Sequence, residues 1–253
     1  MIDADFVNAI EALSQRANTQ ELVQEIEVQP GQTFVYRSNA TDNGRNLGDI
    51  IMPPQAAPLS VTTLTGFRDA ISKYVPETTT VHVESSACVS LIASQVDAWG
   101  RRATYVTAKY QPLNIFSYDR YYDDLPMFIV HLQSAFLQTD NLLYVIRIAS
   151  NLKSGNTIQT TDDGFSQTLV LKRGEVETAE VKVAPRIKLI PVRSFPEAAP
   201  VESEFLIRFK QNGAGAPTVA LFDCDGGKWK GEQMAAIKTW LSSQIDSGFA
   251  IIA

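Results

Sequence analysis

The sequence predicts an α+β fold: a mainly antiparallel sheet with a buried central helix pair, an N-terminal helical arm and a C-terminal helix. Three observations lead to this fold class. Residues 119–152 carry apolar side chains at helical spacing in two consecutive stretches. Residues 165–222 alternate apolar and polar side chains between turn signals, as antiparallel strands do. Helical spacing returns at residues 234–245, close to the C-terminus.

Residues 1–26 are predicted to form the helical arm. Phe6, Ile10 and Leu13 follow one another at helical spacing, with Ala17 one turn further, so they share one face. An apolar stripe of this kind promotes association when it is exposed. It packs either on its own subunit, which is the commoner case, or on a neighbouring one. In the second case Phe6, Ile10 and Leu13 are the oligomer contact.

Residues 27–60 are predicted to be an extended or loop segment. Pro53, Pro54 and Pro58 oppose helix formation, and residues 39–48 are polar and rich in turn formers. The segment therefore separates the arm from the main body of the protein.

Residues 61–253 are predicted to be the α+β core, either as a single unit or as two lobes, 61–113 and 114–253. β-branched and apolar residues at 79–84 and 103–110 predict strands in its first part. The strands of the second part follow the central helix pair.

Capping residues mark the starts of the predicted helices. Thr65 is placed to cap a helix that Pro76 ends. In the central pair, Pro126 fits only the first turn of the first helix. The second helix can be capped by Thr139, Asp140 or Asn141. The second helix, residues 142–152, is apolar nearly all round, which predicts burial beneath the sheet.

The C-terminal half is predicted to be built from strands followed by a helix. Residues 165–183 resemble a hairpin, and a proline within residues 187–192 places that strand at a sheet edge. Residues 205–222 form a second strand pair. A helix over 234–245 and a short strand over 249–252 end the chain.

Composition limits the classes of partner. The 253 residues carry a net charge of -6, which disfavours strong, delocalised binding to nucleic acid or to anionic membranes. No apolar run approaches the roughly 20 residues that a membrane span needs. Cys88 and Cys224 are too few for a disulfide framework, and Asp3 and Asp5 stand where a signal peptide carries basic residues. We expect a cytoplasmic protein without a membrane partner.

Four segments resemble the YfdQ-like family of phage and prophage proteins. They are residues 61–67 (VTTLTGF), 124–128 (DLPMF), a proline-aromatic segment around Ile190-Pro191 and Phe195, and residues 205–209 (FLIRF). The resemblance covers most of residues 50–253. It implies a phage-encoded protein that acts in the bacterial cytoplasm, and it carries no activity over to any residue.

The run that ends in Asp223 and Asp225 is the strongest candidate for catalysis. A hydrophobic strand followed by Asp-x-Asp-Gly resembles the first motif of haloacid-dehalogenase-like phosphatases. In that family the first carboxylate is the nucleophile and the second an acid/base, both near Mg²⁺. Gly227 departs from the family, which has Thr or Val there. A polar turn between a strand and the last helix explains the motif more simply.

Residues 101–122 have the composition of a binding surface. Cations and aromatic rings alternate, as in single-stranded nucleic-acid sites, in protein interfaces and, where the rings are buried, in cores. The candidate binding residues are Arg101, Arg102, Tyr105, Lys109, Tyr110, Tyr118, Arg120, Tyr121 and Tyr122.

The sequence favours a non-catalytic phage or prophage accessory protein that works by self-assembly or by binding a host or phage component. We expect a homo-oligomer that needs no cofactor and no metal. The first alternative is a single-stranded nucleic-acid-binding protein that uses residues 101–122, although the net charge disfavours it. The second is a Mg²⁺-dependent phosphatase-like enzyme that uses Asp223 and Asp225.

Overall fold

The computed structural model describes residues 8, 23–29, 32–37, 49–51, 55–97, 100–112, 116–152, 157–162, 167–173, 176–184, 186–212 and 216–253. The chain divides into two compact units. The first unit comprises Met1–Ala56 together with Val96–Ala103, and the second comprises Ala57–Gln95 together with Thr104–Ala253.

The first unit contains a three-stranded antiparallel sheet. In it, β1 (Val23–Gln29) pairs with β2 (Gln32–Arg37), which pairs with β3 (Asp49–Ile51). The first two strands pair from Val23↔Arg37 to Gln29↔Gln32, with a register shift between Glu27 and Gln29, so they form a hairpin.

The predicted arm is described only in small part. Strand β1 begins at Val23, so residues 23–26, the end of the predicted arm, are strand rather than helix. The oligomer contact predicted at Phe6, Ile10 and Leu13 lies outside the described residues. It stays a prediction.

The second unit carries the remaining elements. In chain order they are β4 (Leu59–Val61), α1 (Leu64–Ile71), a 3-10 turn (Pro76–Thr78), β5 (Thr79–Ser85), β6 (Cys88–Ala93), β7 (Thr104–Lys109), β8 (Tyr121–Tyr122), α2 (Leu125–Ala135), α3 (Asp140–Asn151), β9 (Thr157–Asp162), β10 (Gln167–Arg173), β11 (Val176–Val183), β12 (Ile187–Leu189), β13 (Ser203–Gln211), β14 (Pro217–Asp223), α4 (Lys228–Gln244) and β15 (Ala250–Ile252).

These strands form three sheets. A five-stranded sheet has the order β15-β5-β6-β7-β4, in which β15 is parallel to β5 and β4 is parallel to β7. A four-stranded antiparallel sheet has the order β12-β13-β14-β8, and a three-stranded antiparallel sheet has the order β11-β10-β9. The α+β class and the mainly antiparallel pairing are confirmed. Strand β12 lies at a sheet edge, as its proline-containing segment predicts.

The first core lies between the five-stranded sheet and helices α1 and α4. Its buried members include Leu64 and Phe67 on α1 and Ile237 on α4. The cap of α1 is Thr63, whose Oγ1 accepts a hydrogen bond from the Gly66 N–H at 3.0 Å. The prediction that Thr65 caps this helix is wrong, because Thr65 already lies in the first helical turn.

The second core lies between the four-stranded sheet and the helix pair α2–α3. Asp124 caps α2 by accepting from the Met127 N–H at 3.0 Å, and Pro126 sits in the first turn. Thr139 caps α3, as predicted, by accepting from the Leu142 N–H at 3.2 Å. The position of Pro126 in the first turn of α2 and the buried central helix pair are confirmed.

Helix α3 differs from its prediction in one respect. Leu142, Val145 and Ile148 are buried, but Leu143 is 41% exposed and Ile146 only half-buried. Successive helical residues are about 100° apart, so Leu143 lies off the face that packs on the core. The helix is therefore amphipathic rather than buried all round.

Leu132→Ala is expected to lower the free energy of unfolding by about 2–5 kcal/mol, because Leu132 on α2 is fully buried. Leu143→Ala removes the same atoms from an exposed position on α3 and is expected to change it by less than about 0.5 kcal/mol. Urea unfolding followed by circular dichroism measures both. Equal losses would contradict the orientation of α3.

Candidate protein-binding groove

A strap of residues 190–200, between β12 and β13, is attached to the second core by backbone pairing. The Leu137 N–H donates to the Ile190 carbonyl and the Val192 N–H donates to the Ala135 carbonyl, both at 2.8 Å. Pro191 forms a bridge with Phe136 between these bonds. Because the proline lacks an N–H, the two bonds on either side of it hold the strap against the end of α2.

The same strap is attached to the first core. Phe195 is 1% exposed and packs there, and the Ser194 hydroxyl donates to the Ser86 carbonyl. Glu197 Oε1 accepts a hydrogen bond from the Thr65 N–H of α1 at 3.1 Å, and the Gln233 side chain of α4 donates to the Ala199 carbonyl at 3.3 Å. The strap therefore bridges the two cores.

Arg193 fixes the middle of the strap. Its Nη1 lies 2.7 Å from Asp223 Oδ2 at the end of β14, and its Nη2 donates to the Ser203 hydroxyl of β13. The guanidinium carbon lies 3.7 Å from the ring centroid of Trp229 in α4. With the Arg193 and Asp223 side chains only 14% and 23% exposed, the pair is poorly screened by solvent. We call this arrangement the Arg193 clamp.

Tyr118 packs beside Phe205 and the Arg193 guanidinium. Its ring stacks on Phe205 with centroids 5.6 Å apart, and the Arg193 guanidinium carbon is 5.8 Å from its centroid. Burial raises the pKa of Tyr118 to about 12, although the charge of Arg193 acts in the opposite direction. Its phenol therefore stays protonated at neutral pH.

A groove runs along the strap at the seam between the two cores. It consists of two adjoining hollows of about 410 and 190 Å³, and Val192 and Pro196 line both. Tyr110, Ser134 and Ala135 border the larger hollow; Leu137 and Phe195 border the smaller. A preformed hollow with a mainly apolar lining is the usual geometry of a binding site.

Exposed apolar side chains extend the groove along α2. Leu137 and Val192, which line it, are 40% and 39% exposed. Met127 and Val130 are 45% and 53% exposed, and their spacing to Ser134 in the groove places all three on one face of the helix. These side chains add exposed apolar surface on the α2 face that leads to the groove.

The structure separates the binding residues predicted within 101–122. Arg101 and Arg102 belong to the first unit, where Arg101 Nε lies 2.9 Å from Asp97 Oδ2. Tyr105 packs on Tyr74 beside the first core, and Tyr122 is buried in the second. The aromatic residues of this stretch are thus largely core.

Arg102 is exposed in the first unit, and four of the predicted residues in the second unit also keep an accessible position. Tyr110 borders the groove, in edge-to-face contact with Phe195. Arg120 lies over the Tyr122 ring at 4.6 Å, and Lys109 is exposed at the end of β7. Tyr121 lies on the four-stranded sheet, with its ring 6.1 Å from that of Phe222. Val192 and Pro196 are not indicated by any sequence pattern, because a strap without periodicity resembles an ordinary loop.

Asp223 and Asp225 flank a turn between β14 and α4. Gly226 and Gly227 have φ of 66° and 83°, so the turn itself requires glycine at both positions. Asp223 is engaged by Arg193. Burial alone would raise the pKa of Asp225, but hydrogen bonds from Ser203 and the Gly227 N–H and the charge of Arg193 lower it below its ordinary value. The motif thus has a structural explanation in the turn and the clamp.

The charged hollow beside this turn is lined by ion pairs. Arg186 pairs with Glu204 at 3.0 Å, Lys188 with Glu202 at 3.1 Å and Lys228 with Glu232 at 3.1 Å. Each charge in these pairs is therefore already balanced by a neighbour.

Cys88 and Cys224 are both free and partly buried. Burial and the nearby Glu84 raise the pKa of Cys88 to about 11, and burial raises that of Cys224, so both thiols are protonated at neutral pH. Within the described ranges, His, Cys, Asp and Glu form no group of three or more that could hold a metal ion. Nor is any helix in that part long and apolar enough to cross a membrane.

No known protein family, curated protein or solved structure matches the chain.

The clamp is tested by a double-mutant cycle on Arg193→Met and Asp223→Asn. Each single change removes the attraction between two opposite charges that are largely buried and is expected to cost about 1.5–3 kcal/mol of unfolding free energy. The double variant is expected to lose less than the sum, with a coupling of about 1–3 kcal/mol.

Arg68→Met with Asp69→Asn is the matched control. Arg68 and Asp69 form a pair at 2.8 Å whose side chains are 36% and 64% exposed, for which a coupling below about 1 kcal/mol is expected. Urea unfolding of all the variants measures both couplings. A coupling at Arg193 no larger than that at Arg68 would contradict the clamp.

Proposed function

We propose that the chain is a non-catalytic accessory protein that works by binding protein partners, and that the groove along the strap is its contact surface. The first partner is a second copy of the chain, so the protein is a homo-oligomer. A host or phage protein is a further partner that would bind the same groove. The groove, with its apolar extension along α2, is the observation that carries this proposal.

The lining of the groove favours a protein segment over a small polar substrate. Val192, Pro196 and Leu137 offer apolar surface, and burying such surface contributes about 25 cal/mol per Å². Arg193 and Gln233 also border it, but their polar atoms already bond to Asp223 and to the strap. A partner therefore gains mainly from covering apolar surface.

Tyr110 is a potential anchor for a partner protein in the groove. Tyr110 presents a ring at the mouth of the larger hollow, and burial raises the pKa of its phenol. Tyrosine is among the residues that contribute most at protein interfaces, since it combines a large apolar area with a polar tip. This position also supports part of the sequence prediction, in which Tyr110 is a binding residue.

The phage origin and the bacterial cytoplasm belong to the proposal through the YfdQ-like resemblance. Two of the segments that carry the resemblance lie in elements next to the groove. Residues 124–128 form the capped start of α2, and Pro191 and Phe195 lie in the strap. The resemblance thus falls on the elements that build the groove.

The proposal is tested by Val192→Asp, with Val75→Asp as the matched control. Both side chains are exposed, at 39% and 57%, but Val75 borders neither hollow. The wild type and Val75→Asp are expected to show a native mass that is a multiple of 27.9 kDa. Val192→Asp is expected to weaken self-association at least about 10-fold, because a carboxylate would be buried without a partner.

Light scattering over a series of protein concentrations measures the association, and circular dichroism shows that each variant is folded. A wild type that stays at 27.9 kDa at every concentration would overturn self-assembly. Equal association of the two variants would remove the groove as the contact surface.

A further inference from the structure

Leu59, in the edge strand β4, is an apolar side chain that is 56% exposed. It is paired with Val106 of β7, whose side chain is buried in the first core. Directly paired residues point to the same face of a sheet, so Leu59 projects on the side of the five-stranded sheet where the first core lies. Val61, two residues further along β4, packs against that core, as the alternation of side chains requires.

The groove opens next to Leu59. Phe195 of the strap packs in the first core, so the strap lies on the same side of the five-stranded sheet as Leu59. Thr62 and Thr63 directly follow β4 and line the larger hollow. Three residues of extended chain span about 10 Å, so Leu59 lies within about that distance of Thr62. Leu59 itself lines neither hollow, and its side chain stays uncovered beside the groove.

The segment around Leu59 matches the groove in charge. Residues 50–67 contain no Asp, Glu, Lys, Arg or His, and residues 55–60 are all exposed. Among the described residues that line the two hollows, Arg193 is the only charged one, and it is paired with Asp223. An uncharged segment can therefore cover the groove without the cost of burying an unpaired charge.

We propose that residues 57–60 of a second copy of the chain dock in the groove, with Leu59 as the anchor. This inference rests on the proposed self-assembly through the groove, and it names the segment that fills it. Because segment and groove lie side by side, a two-fold axis between them places each Leu59 on the groove of the other copy. The assembly is then a closed dimer with two equal contacts.

Pro58 favours this docking over direct pairing of two β4 edges. Strand β4 has only three residues and begins directly after the proline. A short edge strand next to a residue without an N–H is a poor template for a further strand. The proline ring also fixes φ, so the segment loses less conformational freedom when it docks.

Ile252 provides a matched control for Leu59. It lies in β15, the opposite edge strand of the same sheet, and is 47% exposed. Four strand spacings of about 4.8 Å separate the two edges, so Ile252 is about 19 Å from β4. It is therefore too far from Thr62 and Thr63 to share their contact.

Leu59→Asp and Ile252→Asp test the docking by light scattering over a series of protein concentrations. Leu59→Asp is expected to weaken dimerisation at least about 10-fold, because each groove would then bury a carboxylate without a partner. Ile252→Asp is expected to dimerise like the wild type. Both side chains are exposed, and circular dichroism shows that both variants are folded.

A double-mutant cycle on dimerisation shows whether Leu59 acts in the groove. Leu59→Ala and Val192→Ala are expected to weaken dimerisation each, and the double variant to weaken it less than the product of the two effects, by a factor of at least about 2. This non-additivity is expected only if the two side chains share one contact.

Each contrary result has its own meaning. Effects of Leu59→Ala and Val192→Ala that simply multiply would place Leu59 outside the groove and overturn the inference. Equal dimerisation of Leu59→Asp and Ile252→Asp, with Val192→Asp still weakened, would overturn it and leave the groove as the contact surface. A wild type that stays monomeric would overturn the self-assembly and the docked segment together.

Discussion

The ion pair between Arg193 and Asp223 is the interaction on which the arrangement of the second unit depends. One guanidinium reaches the end of β14, the hydroxyl of Ser203 and the ring of Trp229. Those groups belong to the four-stranded sheet and to α4, which packs on the other core. Half-buried charges are costly without a partner, so the pair fixes one position for the strap instead of several. The strap in turn holds the two cores side by side.

The groove is a consequence of that position. Val192 and Pro196 line both hollows only because the strap crosses the seam between the cores, with hydrogen bonds to α2 on one side and to α1 on the other. Asp223 of β14 thus acts on the groove through the strap, which it holds in place together with Ala135 of α2.

The sequence predicts what is local and misses what joins distant segments. Pro126 in the first turn of α2, Thr139 at the start of α3 and the helical spacing of the apolar residues act within a few residues, so the central pair can be predicted from local patterns. The parallel pairing of β15 with β5 unites the two ends of the second unit, and no local pattern encodes it. Tyr118 resembles a binding residue in sequence because aromatic residues serve cores and surfaces alike; only packing places it beside Phe205.

Native-state hydrogen exchange tests most directly the central claim that the strap makes the two cores one cooperative unit. The amides of Val83 in β5 and Ile207 in β13 lie in the sheets of the two cores. Both are expected to exchange with the same opening free energy and the same dependence on urea in the wild type, because one core cannot open while the strap ties it to the other. Arg193→Met should separate the two values. Opening free energies that differ by more than about 1 kcal/mol in the wild type would show two independent units and contradict the account.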